Sequence, residues 1–369
     1  MKKELWIIAV AAVFSAPALA RAGEVAMAAK NWQLQAAEHR FEEHLDRPSL
    51  FLKSGVAIAK DVAFGDGTIS FDIAVAQERG FSGAVWHYQQ NESYEFFYVR
   101  PHQSGKPDAV QYTPNFNDLS GWQLYHGPRY ANPVDLVFDQ WMPIRIVVSD
   151  GKADIYVNGG ERPLVHVDEL KTGAGGGGLG LLSGFAPAWF SNYHFEPAEA
   201  PILIGETAEE RLQPENPILS YEVSSPIAAS ALAGSGELSL EGFAGLSWTS
   251  FETEANGIAN LARLAGRSDE ADTVLVRLRL QAEKPVLQKI NFGFSDRVRV
   301  YLNGQLLFSG DDTYMTRDYR HLGTIGLYDA LYLRLQKGSN TLVFAVSESF
   351  GGWGLVADLE VQKGVTILP

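Results

Sequence analysis

Apolar residues recur along this chain at every second position. Ile69, Phe71, Ile73 and Val75 alternate with Thr68, Ser70 and Asp72, the period of a half-buried strand. The same spacing returns in Ile144, Ile146 and Val148. It recurs in Val274, Val276, Leu278 and Leu280, with Arg277 and Arg279 on the opposite face. Val298, Val300 and Leu302 follow, then Leu331, Leu333 and Leu335, then Leu342, Phe344 and Val346. A weak helical spacing over Ile258 to Leu264 fits a short strand equally well. The pattern predicts an all-β chain built as two antiparallel β-sandwich (jelly roll) domains. Asn158-Gly159 and Asn303-Gly304 each follow a strand and predict hairpin turns, because this dipeptide accepts positive φ at both central positions.

The punctuation divides the chain further. Lys2 and Lys3, an apolar run from Leu5 to Phe14, and Ala18-Leu19-Ala20 predict a signal peptide over residues 1–22. Residues 198–217 combine prolines with a charge cluster and predict an extended, solvated linker. One sandwich is then expected over 24–197 and the other over 218–369. An exported protein, periplasmic or extracellular, follows from the leader.

Composition narrows the partners. The chain has 369 residues, 46% hydrophobic and 20% charged, with a formal net charge of −14. That balance disfavours nucleic acid and anionic membrane surfaces as partners. The apolar leader is too short for membrane insertion. There is no cysteine, which excludes disulfides, thiol nucleophiles and thiolate metal sites. Nothing in the pattern sets an oligomeric state.

The candidate chemistry concentrates between Tyr94 and Tyr130. Nine of these 37 residues are Phe, Trp or Tyr, against 11% aromatic for the whole chain. Planar faces interleaved with amides, Arg and His suit a surface that stacks on a ligand and hydrogen-bonds around its rim. The expected ligand is a carbohydrate, held on the concave face of the first sandwich by Arg100, His102, Asp108, Tyr112, Asn115, Trp122 and Tyr125. Arg100 and His102 sit two apart, on the expected face of Phe96 and Tyr98, with Pro101 marking a strand end. Tyr112, Trp122 and Tyr125 are the expected stacking rings. Asp108 and Asn115 could hydrogen-bond hydroxyls or ligate Ca²⁺, although turn formation explains them as well. No other cofactor or metal is implied. Trp86 reads as core, and His166 has no metal-spaced partner. The glycine run 173–178 lacks the Lys-Ser or Lys-Thr of a phosphate loop.

DGTISFDI at 66–73, WMPIRIVVSDGKADIYVNG at 141–159 and AWFSNYHF at 188–195 resemble the concanavalin A-like jelly roll. That fold occurs in laminin G-like modules, in family 16-type glycoside hydrolases and in domains related to 3-keto-disaccharide hydrolases. DRVRVYLNGQLLFSG at 296–310, LQKGSNTLVFAV at 335–346 and GGWGLVADLE at 351–360 resemble a galactose-binding-like jelly roll. The resemblance implies an accessory module, of a kind in which some members bind sugar at loop ends and others bind nothing. Tyr314, Arg317, Arg320 and Trp353 could form such a loop-end site, although ordinary surface and packing roles explain them better. Family 16 enzymes carry Glu-x-Asp-x-(x)-Glu on one strand, and this chain has no such motif. Glu92 and Glu95 are three apart and diverge, as do the adjacent Asp168 and Glu169.

Three functions are compatible with these residues. The first is a non-catalytic, secreted carbohydrate-binding or accessory protein. The second is a glycoside-cleaving enzyme using His102, Asp108 or Glu95 for acid–base chemistry. The third is a protein-interaction or adhesion module.

Overall fold

A computed structural model describes residues 22–232, 234, 236–317 and 322–368. All but the last residue of the expected signal peptide lies outside this range. The fold is all-β, its sheets antiparallel and curled into sandwich-like layers. Helical segments are short 3-10 turns such as Pro101–Gln103 and Leu261–Arg263. The ambiguous Ile258 to Leu264 stretch resolves as a two-residue strand, Ala259–Asn260, running into the second of these turns. The Asn260 side chain caps it by accepting from the Ala262 N–H at 3.2 Å.

Strands from Gly23–Glu24 to Ala188–Pro197 form one 14-stranded sheet. Gly67–Val75 lies between Met142–Ser149 and Ala188–Pro197, as its clean alternation requires. The run then continues through Arg47–Ala59, Gly178–Phe185 and Gly80–Tyr88 to Tyr94–Val99 and Val110–Phe116. Ile144, Ile146 and Ile155 from one end share a core with Trp86, Phe97 and Val110 from the other. The sheet therefore curls until its two ends face each other across buried side chains.

Residues 220–368 make two further sheets of seven and four strands. Val274, Val276 and Phe344 of the larger pack against Phe292, Phe294 and Leu355 of the smaller. The predicted alternations sit here as expected, with Val298, Val300, Leu342 and Val346 buried.

The turns divide. Asn303 and Gly304, at φ 51° and 85°, join Arg297–Leu302 to Gln305–Asp311 as a two-residue hairpin. Asn158-Gly159 has the same left-handed angles but opens a longer loop to Val165–Val167. The tight hairpin is instead at Asp150-Gly151, between Met142–Ser149 and Lys152–Val157. The 198–217 segment is not a free solvated linker either. Asp154, fully buried, accepts the Ile204 and Gly205 N–H groups at 2.7 and 3.0 Å. His166 bonds the other oxygen of Asp154 at 2.6 Å, which gives that histidine a structural partner. Glu210 takes bonds from Arg129 and Tyr130, and Leu212 enters the first core.

Candidate functional site

The run YEFFYV has no polar alternation because both faces of strand Tyr94–Val99 are covered. Phe97 and Val99 point into the main core. Tyr94, Phe96 and Tyr98 form a second apolar cluster on the other face, with Val85, Phe81 and Tyr88. Aromatic enrichment here is first a packing requirement, since each large ring buries both its area and its neighbours.

Three of the expected binding residues, and the candidate acid Glu95, are spent inside the protein. Tyr112 is fully buried and donates to Glu95 at 2.6 Å. Glu95 faces the core and also accepts both Thr172 donors at 2.7 Å. Burial raises its pKa, but it reaches no open surface. Tyr125 is fully buried and donates to Glu254, which also pairs with Lys171 at 2.7 Å. Asn260 adds a bond to the Tyr125 hydroxyl at 3.2 Å. Asn115 is buried and donates to the Tyr94 hydroxyl at 2.9 Å. A ligand cannot stack on Tyr112 or Tyr125, because the remainder of the chain already occupies their faces. Tyr112, Glu95 and Asn115 bond within the first part of the chain, whereas Tyr125 seats residues 94–130 against the second through Glu254 and Asn260. Asn117 reinforces this junction by donating to the Ala262 carbonyl at 2.8 Å.

Where that junction opens, it leaves a cleft. One pocket of about 200 Å³ is lined by Phe81, Phe96 and Tyr98 on one side and by Trp122, Tyr314 and Phe350 on the other. Trp122 comes from the turn that follows strand Leu119–Ser120, and the other two rings come from the second part of the chain. The ring centroids of Trp122, Tyr314 and Phe350 lie 6.1, 6.1 and 6.4 Å apart. A larger pocket of about 440 Å³ adjoins it, sharing Arg100, Gln111, Trp122 and Leu322 and adding Asp108, His126, Asn132 and Arg211. Trp122 thus stands between an aromatic pocket and a polar one.

Gln123 fixes that tryptophan. It is fully buried, and its backbone N–H donates to the Gly351 carbonyl at 2.9 Å. Its amide donates to the Leu322 carbonyl and accepts from the Ser295 hydroxyl at 3.1 Å. Gly351 sits at φ +106°, and a Cβ there would fall 2.3 Å from the Gln123 amide oxygen and 2.9 Å from the Trp122 indole nitrogen. Only glycine lets the two walls approach this closely. Gln111 completes the floor, accepting from the Tyr98 hydroxyl at 2.8 Å and donating to the Trp122 and Tyr125 carbonyls.

Arg100 lines both pockets. The strand stops at Val99 and Pro101 begins a 3-10 turn, so strand alternation does not set the positions of Arg100 and His102. They meet through Phe81: the guanidinium lies 5.4 Å from that ring's centre and the imidazole 5.5 Å from it, edge-on. His102 is kept below its ordinary pKa by burial and by the neighbouring Arg100 and Arg79. His126 is lowered chiefly by burial and bonds the Ile325 carbonyl through Nε2 at 2.9 Å. Both rings are therefore neutral near pH 7. Asp108 lines the polar pocket but is ion-paired to Arg100, and Asn115 is bonded to Tyr94. The two are not free to share a Ca²⁺ ion, and no cluster of three or more His, Asp or Glu among the described residues is placed to hold a metal.

The cleft thus gathers Arg100, Asp108 and Trp122 from the expected set, with His102 behind its wall. It adds Arg79, Phe81, Phe185, Phe350 and Arg211, which carry no local signal because they come from strands and loops far apart in the chain. Tyr314 joins this cleft rather than a site of its own. Trp353 is buried in the second core, donating to the Val346 carbonyl at 3.0 Å. Arg317 pairs with Asp329 at 2.7 Å, and Arg320 lies outside the described residues.

No protein-family model and no curated protein matches the chain. Similar solved structures include the carbohydrate-binding module CBM66 from Bacillus subtilis, at 14% identity and a TM-score of 0.35 over 44% of this chain and 93% of that one. A protein of unknown function with a galectin-like fold, also from Bacillus subtilis, gives 12% identity and 0.36 over 50% and 99%. Domain 4 of AbnA, a GH43 extracellular arabinanase from Geobacillus stearothermophilus in complex with arabinotriose, gives 10% and 0.33 over 49% and 96%. Likeness at this level gives no ground for assigning their ligands to this chain.

Proposed function

We propose that this chain is an exported, non-catalytic saccharide-binding protein, and that the cleft beside Trp122 is its binding site. The observation that carries the reading is the box of Trp122, Tyr314 and Phe350 facing Phe81, Phe96 and Tyr98, with Arg79, Arg100 and Gln111 among its lining. Sugar rings offer apolar C–H faces to aromatic planes and hydroxyls to the groups around them. Phe350 and Phe185 are each more than half exposed, so the stacking surfaces are open to solvent. The Trp122 side chain borders both pockets, where its indole N–H can donate to a ligand hydroxyl.

Glycoside cleavage by paired carboxylates needs two such groups across one bond. Asp108 is the one carboxylate among the described residues lining the two pockets, and Arg100 holds it. That arrangement favours binding over cleavage. The test is isothermal titration against a panel of oligosaccharides with wild type and Trp122→Ala. The expected result is binding by wild type and a loss of about tenfold or more in the variant, with the melting transition retained. Equal affinity in the two proteins removes the cleft from the account.

A further inference from the structure

We propose that the saccharide taken by this cleft is anionic, a glycan whose rings carry carboxylate or sulfate groups. The inference rests on the saccharide reading above and specifies its ligand class. It comes from charge placement. The chain as a whole carries 44 acidic against 30 basic residues. The two pockets reverse that bias: Arg79, Arg100 and Arg211 line them, against Asp108 alone.

The Arg100–Asp108 pair is internally neutral. Arg79 and Arg211 remain, and neither has a carboxylate partner among the described residues. Arg79 belongs to the aromatic pocket, its guanidinium 5.4 Å from the centre of the Phe185 ring. Arg211 belongs to the polar pocket, packed against Gly127. Trp122, between the two, is the stacking platform. The buried Arg100 Nε also lacks a hydrogen-bond partner, so that side chain's donor capacity is not used up by Asp108.

The neighbouring acids do not cancel this charge. Glu210, next to Arg211 in the chain, is taken up by Arg129 and Tyr130. Glu92 and Asp118 lie in a separate depression of about 520 Å³ that meets the aromatic pocket at Gly184. A bound anion is therefore favoured at the Arg79 and Arg211 ends of the cleft and repelled from the Glu92 side. Guanidinium forks match carboxylate and sulfate oxygens in pairs, whereas neutral hydroxyls gain little from an added positive charge. His102 and His126, kept neutral, add no competing charge that titrates near pH 7.

The experiment is titration calorimetry on the full chain with three probes: trigalacturonate, a sulfated heparin-derived tetrasaccharide and neutral cellotriose. The same titrations are run on Arg79→Gln/Arg211→Gln. At least one acidic probe is expected to bind about tenfold or more tighter than cellotriose, with the advantage narrowing as salt is raised. The double variant should lose that advantage, binding the acidic probes no more tightly than it binds cellotriose, with its melting transition retained. Preference between the two acidic probes identifies the anion as carboxylate or sulfate. Cellotriose binding as tightly as both acidic probes overturns the anionic assignment and leaves the saccharide reading intact. Binding of none of the three overturns both.

Discussion

Trp122 and Tyr125 stand three residues apart in one loop, and both are large rings with a polar atom to place. Tyr125 is fully buried: Glu254 and Asn260 take its hydroxyl, and the Lys171 ammonium lies 5.6 Å from its ring centre. Trp122 is half-buried, its ring approached by Tyr314 and Phe350 but open to two pockets. The difference lies in what the second part of the chain brings to each. At Tyr125 it brings a carboxylate and an amide that close the site. At Trp122 it brings two rings that leave a gap. The same residue types thus serve as a seal at one point and as a binding surface a few ångströms away.

The largest way to break the comparison is Tyr125→Ala. It removes a fully buried ring and leaves Glu254 without its hydroxyl partner, at a cost of about 4 kcal/mol. Denaturant unfolding should report that loss, and a change near zero would show that the junction does not depend on this ring. A middle effect concerns the wall of the cleft. Asp296 accepts the Ser349 and Phe350 N–H groups at 2.8 and 2.9 Å, and Glu348 lies buried beside it. Burial first, then the Asp296 charge, pushes Glu348 up to about 8 from an ordinary 4.5. The folded state therefore keeps a proton that the unfolded state releases, so stability falls as pH climbs from 4.5 to about 8. Glu348→Gln cannot ionise. It should flatten that fall, gaining on the order of 2 kcal/mol over wild type above pH 8 and converging with it in acid. Parallel melting curves across the pH range would contradict this. The smallest expected effect on stability is that of Trp122→Ala, about 1 kcal/mol, because its ring contacts are few and partly wet.

Much of the fold was legible in the sequence. Two-residue alternation marked Gly67–Val75, Met142–Ser149 and Thr273–Ala282, because each buries one whole face and leaves part of the other accessible. The Asn303-Gly304 hairpin was legible for the same local reason. Asn158-Gly159 was misleading, since positive φ permits a tight turn without requiring the strands to pair across it. The site was half legible. Arg100, Asp108 and Trp122 reach the cleft, while Tyr112, Asn115 and Tyr125 do not, and residue type alone does not distinguish the two groups. Tyr112 and Asn115 are closed off by Glu95 and Tyr94 across neighbouring strands, whereas Tyr125 is closed by Glu254 and Asn260 and Trp122 is flanked by Phe350, partners more than a hundred positions away.

The most direct measurement compares Trp122→Ala with Tyr125→Phe, titrating saccharide and following the melting transition for each. The account predicts that Trp122→Ala loses binding and keeps most of its stability, while Tyr125→Phe loses stability and keeps binding once folded. Saccharide affinity untouched by the tryptophan substitution but lowered in folded Tyr125→Phe would contradict it.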